Sequence, residues 1–230
     1  MQTANALLIT ACFIVVSIAF VVLVRILRRK RGQAIVDVAP TIGFLFEGNT
    51  WADPSQAPPP EMALFQGKHE PRFANIMTGS FAGLRTSIFD YSYRSGRSVP
   101  TQTVVAFAFS QDVTLPLFEV VPNNFFIRTL LPAVRSVKPI AFDSSPEFAR
   151  RFLVFGLQDE SLRELFTPAL LSFLEGLPPK ELWRIEGLGS TLLVYRTMGI
   201  VRPQNLQRHL EKTSSLARGF LGSAGVKKIA

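Results

Sequence analysis

From Ala6 to Val24 the chain is apolar for 19 residues, broken only by Thr10 and Ser17. At ~1.5 Å per residue the run spans ~28 Å, and Ile26 and Leu27 lengthen it, enough to cross the hydrocarbon core of a bilayer. Thirteen of those residues are Leu, Ile, Val or Phe. At the centre of a bilayer they favour insertion by up to about 4–8 kcal/mol. The pattern predicts a transmembrane helix over residues 6–27, preceded by a short tail, residues 1–5.

Beyond residue 40 the period changes. Phe44 and Phe46 alternate around Leu45, as in a short strand. "ADPSQAPPPEMALFQGKHEP" has five prolines between Pro54 and Pro71. Proline lacks an amide donor and restricts its predecessor, so the stretch reads as a surface loop with one helical turn near Glu61–Gln66, pinned by Trp51 and Phe65. From Arg72 to Val121 the pattern is that of antiparallel strands. Gly79-Ser80 is expected as a turn or bulge, and Pro116 places "LPLFEVVP" at an edge or its start at a strand start. Around the turn at Ser95–Ser98, Tyr91 is expected opposite Thr103 and Phe89 opposite Val105. That register puts Phe89, Tyr91, Val105, Phe107 and Phe109 on one apolar face, with Asp90, Ser92 and Gln102 on the other. On that basis Tyr91→Ala is expected to destabilise more than Asp90→Ala.

Helical spacing follows. A short helix is expected at Phe125–Leu131, stopped by Pro132. Ser145-Pro146-Glu147 resembles a helix start, followed by a strand at Phe152–Phe155. Asp159 is expected to cap a helix that carries Leu162, Leu165 and Phe166, broken at Thr167-Pro168 and resumed to Gly176. "ELWRIEGLGSTLLVYRT" reads as a hairpin, with Trp183 and Ile185 facing Leu193 and Tyr195. An amphipathic helix from Pro203 carries Leu206, Leu210, Leu216 and Phe220, with Arg208, Lys212 and Arg218 on its other face.

Charge orients this layout. Arg25, Arg28, Arg29, Lys30 and Arg31 follow the apolar run and none precedes it. By the positive-inside rule the N-terminus faces outward and the remainder is cytoplasmic, at an inner membrane. Without those five the net charge falls from +8 to +3, so the basic balance marks a membrane flank and not a nucleic-acid footprint. A cleaved signal peptide fits poorly, because Met1–Asn5 carry no charged side chain. "ITAC", ending in Cys12, resembles a lipoprotein box but lacks a basic leader. Cys12 is the single cysteine, so the rest of the chain can form neither an internal disulfide nor a multi-cysteine metal site.

The search for chemistry yields little. His69 and His209 have no partner at metal-ligand spacing and read as solvated surface residues. Gly187-x-Gly189 lacks a third glycine and lies in a hairpin, and "TGSFAG" is not a nucleophile elbow. No cofactor, metal site or catalytic residue is expected. The strongest candidate binding residues are Asp90, Tyr91 and Tyr93 in "FDYSYR", where a carboxylate lies beside two phenols.

"FDYSY", "LPLFEVVP", "FDSSPEFARRFLVFG" and "RIEGLGSTLLVYR", in that order, resemble a family of uncharacterised bacterial single-pass membrane proteins. The resemblance implies one membrane helix and one cytoplasmic α+β domain, and supplies no catalytic residues.

The fold class expected is α+β: an N-terminal transmembrane helix, then a mainly antiparallel sheet with helices packed on one side. Residues 28–71 are assigned to a basic flank and a proline-rich linker or loop, 72–222 to the cytoplasmic domain, and 223–230 to a flexible tail. The function expected is a membrane-anchored interaction module that binds a protein partner or lipid headgroups. A membrane-tethered hydrolase or a structural subunit of a membrane assembly are the alternatives.

Overall fold

The computed structural model describes residues 2–123, 138–157 and 159–225, without the side chains of residues 2–14, 17, 20, 21, 28, 159 and 225. The helix expected at Phe125–Leu131 and the capping side chain of Asp159 lie outside the described residues. So does the side chain of Arg28.

Helix α1, Gln2–Val38, is 37 residues long. Much of the expected span 6–27 has side chains outside the description. Among the described residues no helix is long and apolar enough to cross a membrane. The C-terminal end of α1 belongs to the domain, with Ile35 and Ala39 fully buried. The stretch assigned to a flank and a linker or loop therefore begins inside the folded domain. It also holds β1, Phe44–Gly48.

Strands β2 (His69–Phe81), β3 (Leu84–Arg94), β4 (Thr101–Ala108) and β5 (Leu115–Pro122) follow. Then come α2 (Pro146–Arg151), β6 (Phe152–Gly156), α3 (Asp159–Leu165) and α4 (Pro168–Glu175). The hairpin β7 (Arg184–Gly189) and β8 (Thr191–Tyr195) precedes α5 (Leu206–Gly225). Among the described residues eight strands form one sheet in the order β1-β2-β3-β4-β8-β7-β5-β6, antiparallel at every junction. The α+β class with a large antiparallel sheet is as the periodicity indicates.

Several local expectations shift. β2 runs through Gly79-Ser80, and the turn comes at Ala82-Gly83, where both residues have positive φ. β5 is an interior strand with Pro116 near its start, where the missing amide costs no central ladder bond. Ser223, assigned to the tail, is buried in α5 and lies 2.8 Å from Thr167 Oγ1. His209 is buried against Trp183, not solvated.

The register is one residue away from the expected one. Tyr91 pairs with Gln102, Phe89 with Val104 and Asp90 with Thr103. Because side chains alternate with period two, that single step exchanges faces. Ile88, Val105, Phe107 and Phe109 join the large core under the helices. Phe89, Tyr91, Val104 and Ala106 line the opposite face. The second hairpin behaves alike: Ile185 pairs with Val194, and Tyr195 with Arg184.

Each face then finds its own cover. The helices pack on the first, where Phe118 stacks on Phe220 at 5.3 Å and meets Phe166 edge-on at 5.6 Å. The proline-rich loop covers the second through Met62 and Leu64, with Trp51 and Phe65 packed beside them. Gly187 makes the Phe118 stacking possible, because a Cβ there would lie 2.3 Å from the ring. Gly187→Ala is expected to lower stability by about 1–3 kcal/mol by overpacking, read as a lower denaturation midpoint. An unchanged midpoint would show that Phe118 can move aside freely.

Candidate functional site

Asp90 sits mid-strand on the helix-covered face and is 5% exposed. A carboxylate so placed needs charge and hydrogen-bond partners. Arg31, from the basic flank of α1, supplies a fork: Nε donates to Asp90 Oδ2 and Nη2 to Oδ1, both at 2.8 Å. Arg31 Nη1 also donates to the carbonyl of Val201 at 2.6 Å. Thr103 Oγ1 donates to Asp90 Oδ1 at 2.8 Å and accepts from Val201 N at 3.0 Å. Asn75 Nδ2 completes the set at 2.8 Å. The β2–β3 register slips between Ala74 and Met77, and Asn75 has a φ of 53°. Bulges re-aim side chains, and asparagine tolerates this left-handed backbone better than most residues. The Asp90 carboxylate is thereby committed to four donors from α1, β2 and β4. The arrangement is a clamp between α1 and the sheet.

The three candidate binding residues do not form one site. Tyr91 and Tyr93 point to the other face of β3. Tyr91 is sealed among Phe65, Phe73 and Tyr93 at ring separations of 5.1–5.9 Å. Burial pushes its phenol up to about 12. Tyr93 is half-buried, with Lys68 Nζ 4.6 Å above its ring. Of the flank residues, Arg25, Arg29 and Lys30 are exposed, while Arg31 is turned into the clamp. On α5, Lys212 pairs with Glu181 and Arg218 donates to the carbonyl of Ala82, so that basic face is partly spent inside the domain.

A second polar cluster lies on the loop-covered face. Glu119 and Glu186 are cross-strand partners, 3% and 0% exposed. Glu186 accepts from the Tyr195 hydroxyl and from Leu64 N at 3.0 Å, which ties the proline-rich loop to the sheet. Arg184 Nη2 donates to Glu119 Oε1 at 2.6 Å. Burial, aided by the charge of Glu119, pushes the Glu186 carboxyl up to about 7. One signal for this cluster was present in the sequence: glutamates inside the apolar strands "LFEVV" and "RIEGL". The clamp left a weaker trace, because Arg31 is indistinguishable from its neighbours in a basic run.

Two clefts adjoin these clusters. One, of about 890 Å³, opens beside the clamp and is lined by Arg29, Arg72, Phe46, Phe73 and Ile200. The other, of about 500 Å³, has Glu119, Lys68 and Phe155 in its walls. Among the described residues no group of three His, Cys, Asp or Glu side chains is placed to hold a metal ion.

The fold has a known counterpart. A crystal structure of the mycobacterial trehalose monomycolate transport factor A, TtfA, matches 83% of this chain and 96% of its own, with a TM-score of 0.53 and 13% identity. At that identity the likeness is one of fold. No family model and no curated protein matches the sequence.

Proposed function

We propose that this protein is a membrane-anchored interaction module. In this reading the apolar part of α1 crosses an inner membrane, and the α+β domain sits at its cytoplasmic surface, binding a protein partner or lipid headgroups without turning over a substrate. The observation that carries it is the junction. Val15, Val16, Ile18, Val22, Leu23, Ile26 and Leu27 are all exposed, 44–66%, because the domain covers none of them. An apolar stripe of that size on a monomer implies a partner phase or surface. The same helix continues without interruption into the domain, where Arg31 locks it to Asp90. A domain held so closely sees membrane partners at high effective concentration, so a weak interface suffices. The resemblance to a single-pass bacterial family supports the membrane anchor, and the protein of like fold is named as a transport factor.

One observation favours the hydrolase alternative, the paired carboxylates Glu119 and Glu186. Glu186 is sealed from solvent, however, and Asp90 is occupied by its clamp. Neither presents a free carboxylate to a substrate.

The test uses the full chain in native membranes. Alkaline phosphatase fused after Ala230 is expected to be inactive, and a cytoplasmic reporter at the same place active. Photo-cross-linkers beside the clamp cleft, at Thr101 or Arg72, are expected to capture a membrane protein or lipid. Phosphatase activity would overturn the orientation. Hydrolysis of a substrate that depends on Glu119 would replace the binding reading with an enzymatic one.

A further inference from the structure

The domain has a definite end that faces the membrane, given the anchored reading on which this inference rests. Arg31 lies opposite Asp90, while Ile35 and Ala39 pack in the core with Phe44, whose strand pairing leads through Gly79 to Thr86. Residue numbers therefore rise along α1 as they fall along β3, so the two run antiparallel. Following α1 back toward its apolar run leads toward the β3–β4 turn. β3 extends four residues past Asp90 to Arg94, ~13 Å, a length that α1 covers in about nine residues. Even with a substantial tilt between them, that turn reaches the level of Arg25–Lys30.

This end carries an unusual pairing of side chains. Val99, Ile200 and Met198 are 50%, 50% and 69% exposed. Arg97 and Arg202 are exposed beside them in sequence, as is Arg94, which pairs with Glu70 at 3.0 Å. The segment holding Met198 and Ile200 is fixed to β4: Met198 N donates to Gln102 Oε1 at 3.2 Å, and Thr103 N to the carbonyl of Gly199 at 2.9 Å. Met198 has a φ of 55°, a backbone that few non-glycine residues adopt, and the turn holds its side chain outward. Ile200 lines the same cleft as Arg29. Apolar tips set among arginines, at the level of the basic flank, match the interface of an anionic bilayer, where phosphates meet arginine and the tips reach the acyl boundary.

We infer that the rim formed by Val99, Met198 and Ile200, with Arg94, Arg97 and Arg202, is a second membrane contact that seats the domain on anionic lipid headgroups. Together with the clamp it fixes the domain's orientation, because α1 alone leaves rotation about its own axis free.

The test places the full chain, with Cys12→Ser, in phosphatidylcholine vesicles containing phosphatidylglycerol. Single cysteines at Ile18, Ala82, Val99 and Met198 carry a polarity-sensitive fluorophore. Lipids brominated in their acyl chains are expected to quench the labels at 18, 99 and 198 and to spare the one at 82, in the turn at the far end of the sheet. High salt, or Arg97→Glu combined with Arg202→Glu, should restore fluorescence at 99 and 198 and leave 18 quenched. If 18 is quenched while 99 and 198 behave like 82, the rim contact is wrong and the anchor stands. If 18 also escapes, the anchored reading falls with it. Protection of 99 and 198 in native membranes but not in these vesicles would give the rim to a protein partner and overturn the lipid assignment.

Discussion

Arg31→Ala is expected to destabilise the protein by about 3–5 kcal/mol, as is Asp90→Ala, because either change strands the remaining charge in a largely buried site. Asp90 is 5% exposed, and its carboxylate depends on Arg31 for two of its four hydrogen bonds. Arg31→Lys should recover only part of the loss. A lysine amine is a point charge and cannot span both carboxylate oxygens and the Val201 carbonyl. The double variant Arg31→Met with Asp90→Leu should cost less than the two single losses added together, since it leaves no unpaired charge. Denaturant titration of the four variants reads these terms. Amide exchange around Ile35 reads whether α1 has come away from the sheet. Single variants within ~0.5 kcal/mol of the parent would show that the clamp is ornamental. Tyr91→Ala should fall in a similar range, about 3–5 kcal/mol for a truncated core aromatic. The ranking of Tyr91 above Asp90 suggested by the sequence thus gives way to rough equality, because Asp90 is as buried as its neighbour and is charged as well.

The pH dependence of stability should show two opposed contributions. The Glu186 carboxyl is raised from 4.5 to about 7 by burial and by repulsion from Glu119. Its native form holds a proton that the unfolded chain has lost, so its contribution is full below pH 4.5 and falls by about 3 kcal/mol as pH rises through 7. His209 is lowered from 6.5 to about 4 by burial and by the nearby charges of Arg196 and Lys212, with Glu181 opposing. Its contribution is full above pH 6.5 and falls by about 3 kcal/mol as pH drops through 4. Between pH 4.5 and 6.5 the two nearly cancel. Glu186→Gln keeps a partner for Leu64 N and for the Tyr195 oxygen, and should unmask stability that rises with pH across that window. His209→Gln should unmask the opposite slope. Denaturation midpoints measured across the window check this, and a parental slope retained by both variants would refute the assignment of either group.

Local patterning was enough to specify the kind of most elements. Period-two runs marked the strands from Arg72 to Val121 and the late hairpin, while Thr167-Pro168 and the spacing of Leu206, Leu210 and Phe220 marked the later helices. These signals are local: each depends on which side chains one element must bury. The apolar run and the cations after it are local signals too, and they remain the basis for the anchored reading. The registers were not legible, because moving a strand by one residue preserves its alternation and changes only which face meets which core. That step took Val105 away from Phe89 and put Asp90 opposite Thr103. Burial of both sheet faces hid the error, since the proline-rich loop covers the second face with Met62 and Leu64 and makes both parities apolar. The clamp was equally hidden. Arg31 and Asp90 are 59 residues apart, and only the docking of α1 on the sheet, with the bulge that turns Asn75 inward, brings a flank arginine to a mid-strand carboxylate. Side-chain chemistry named the residues, but long-range packing alone decided which of them meet.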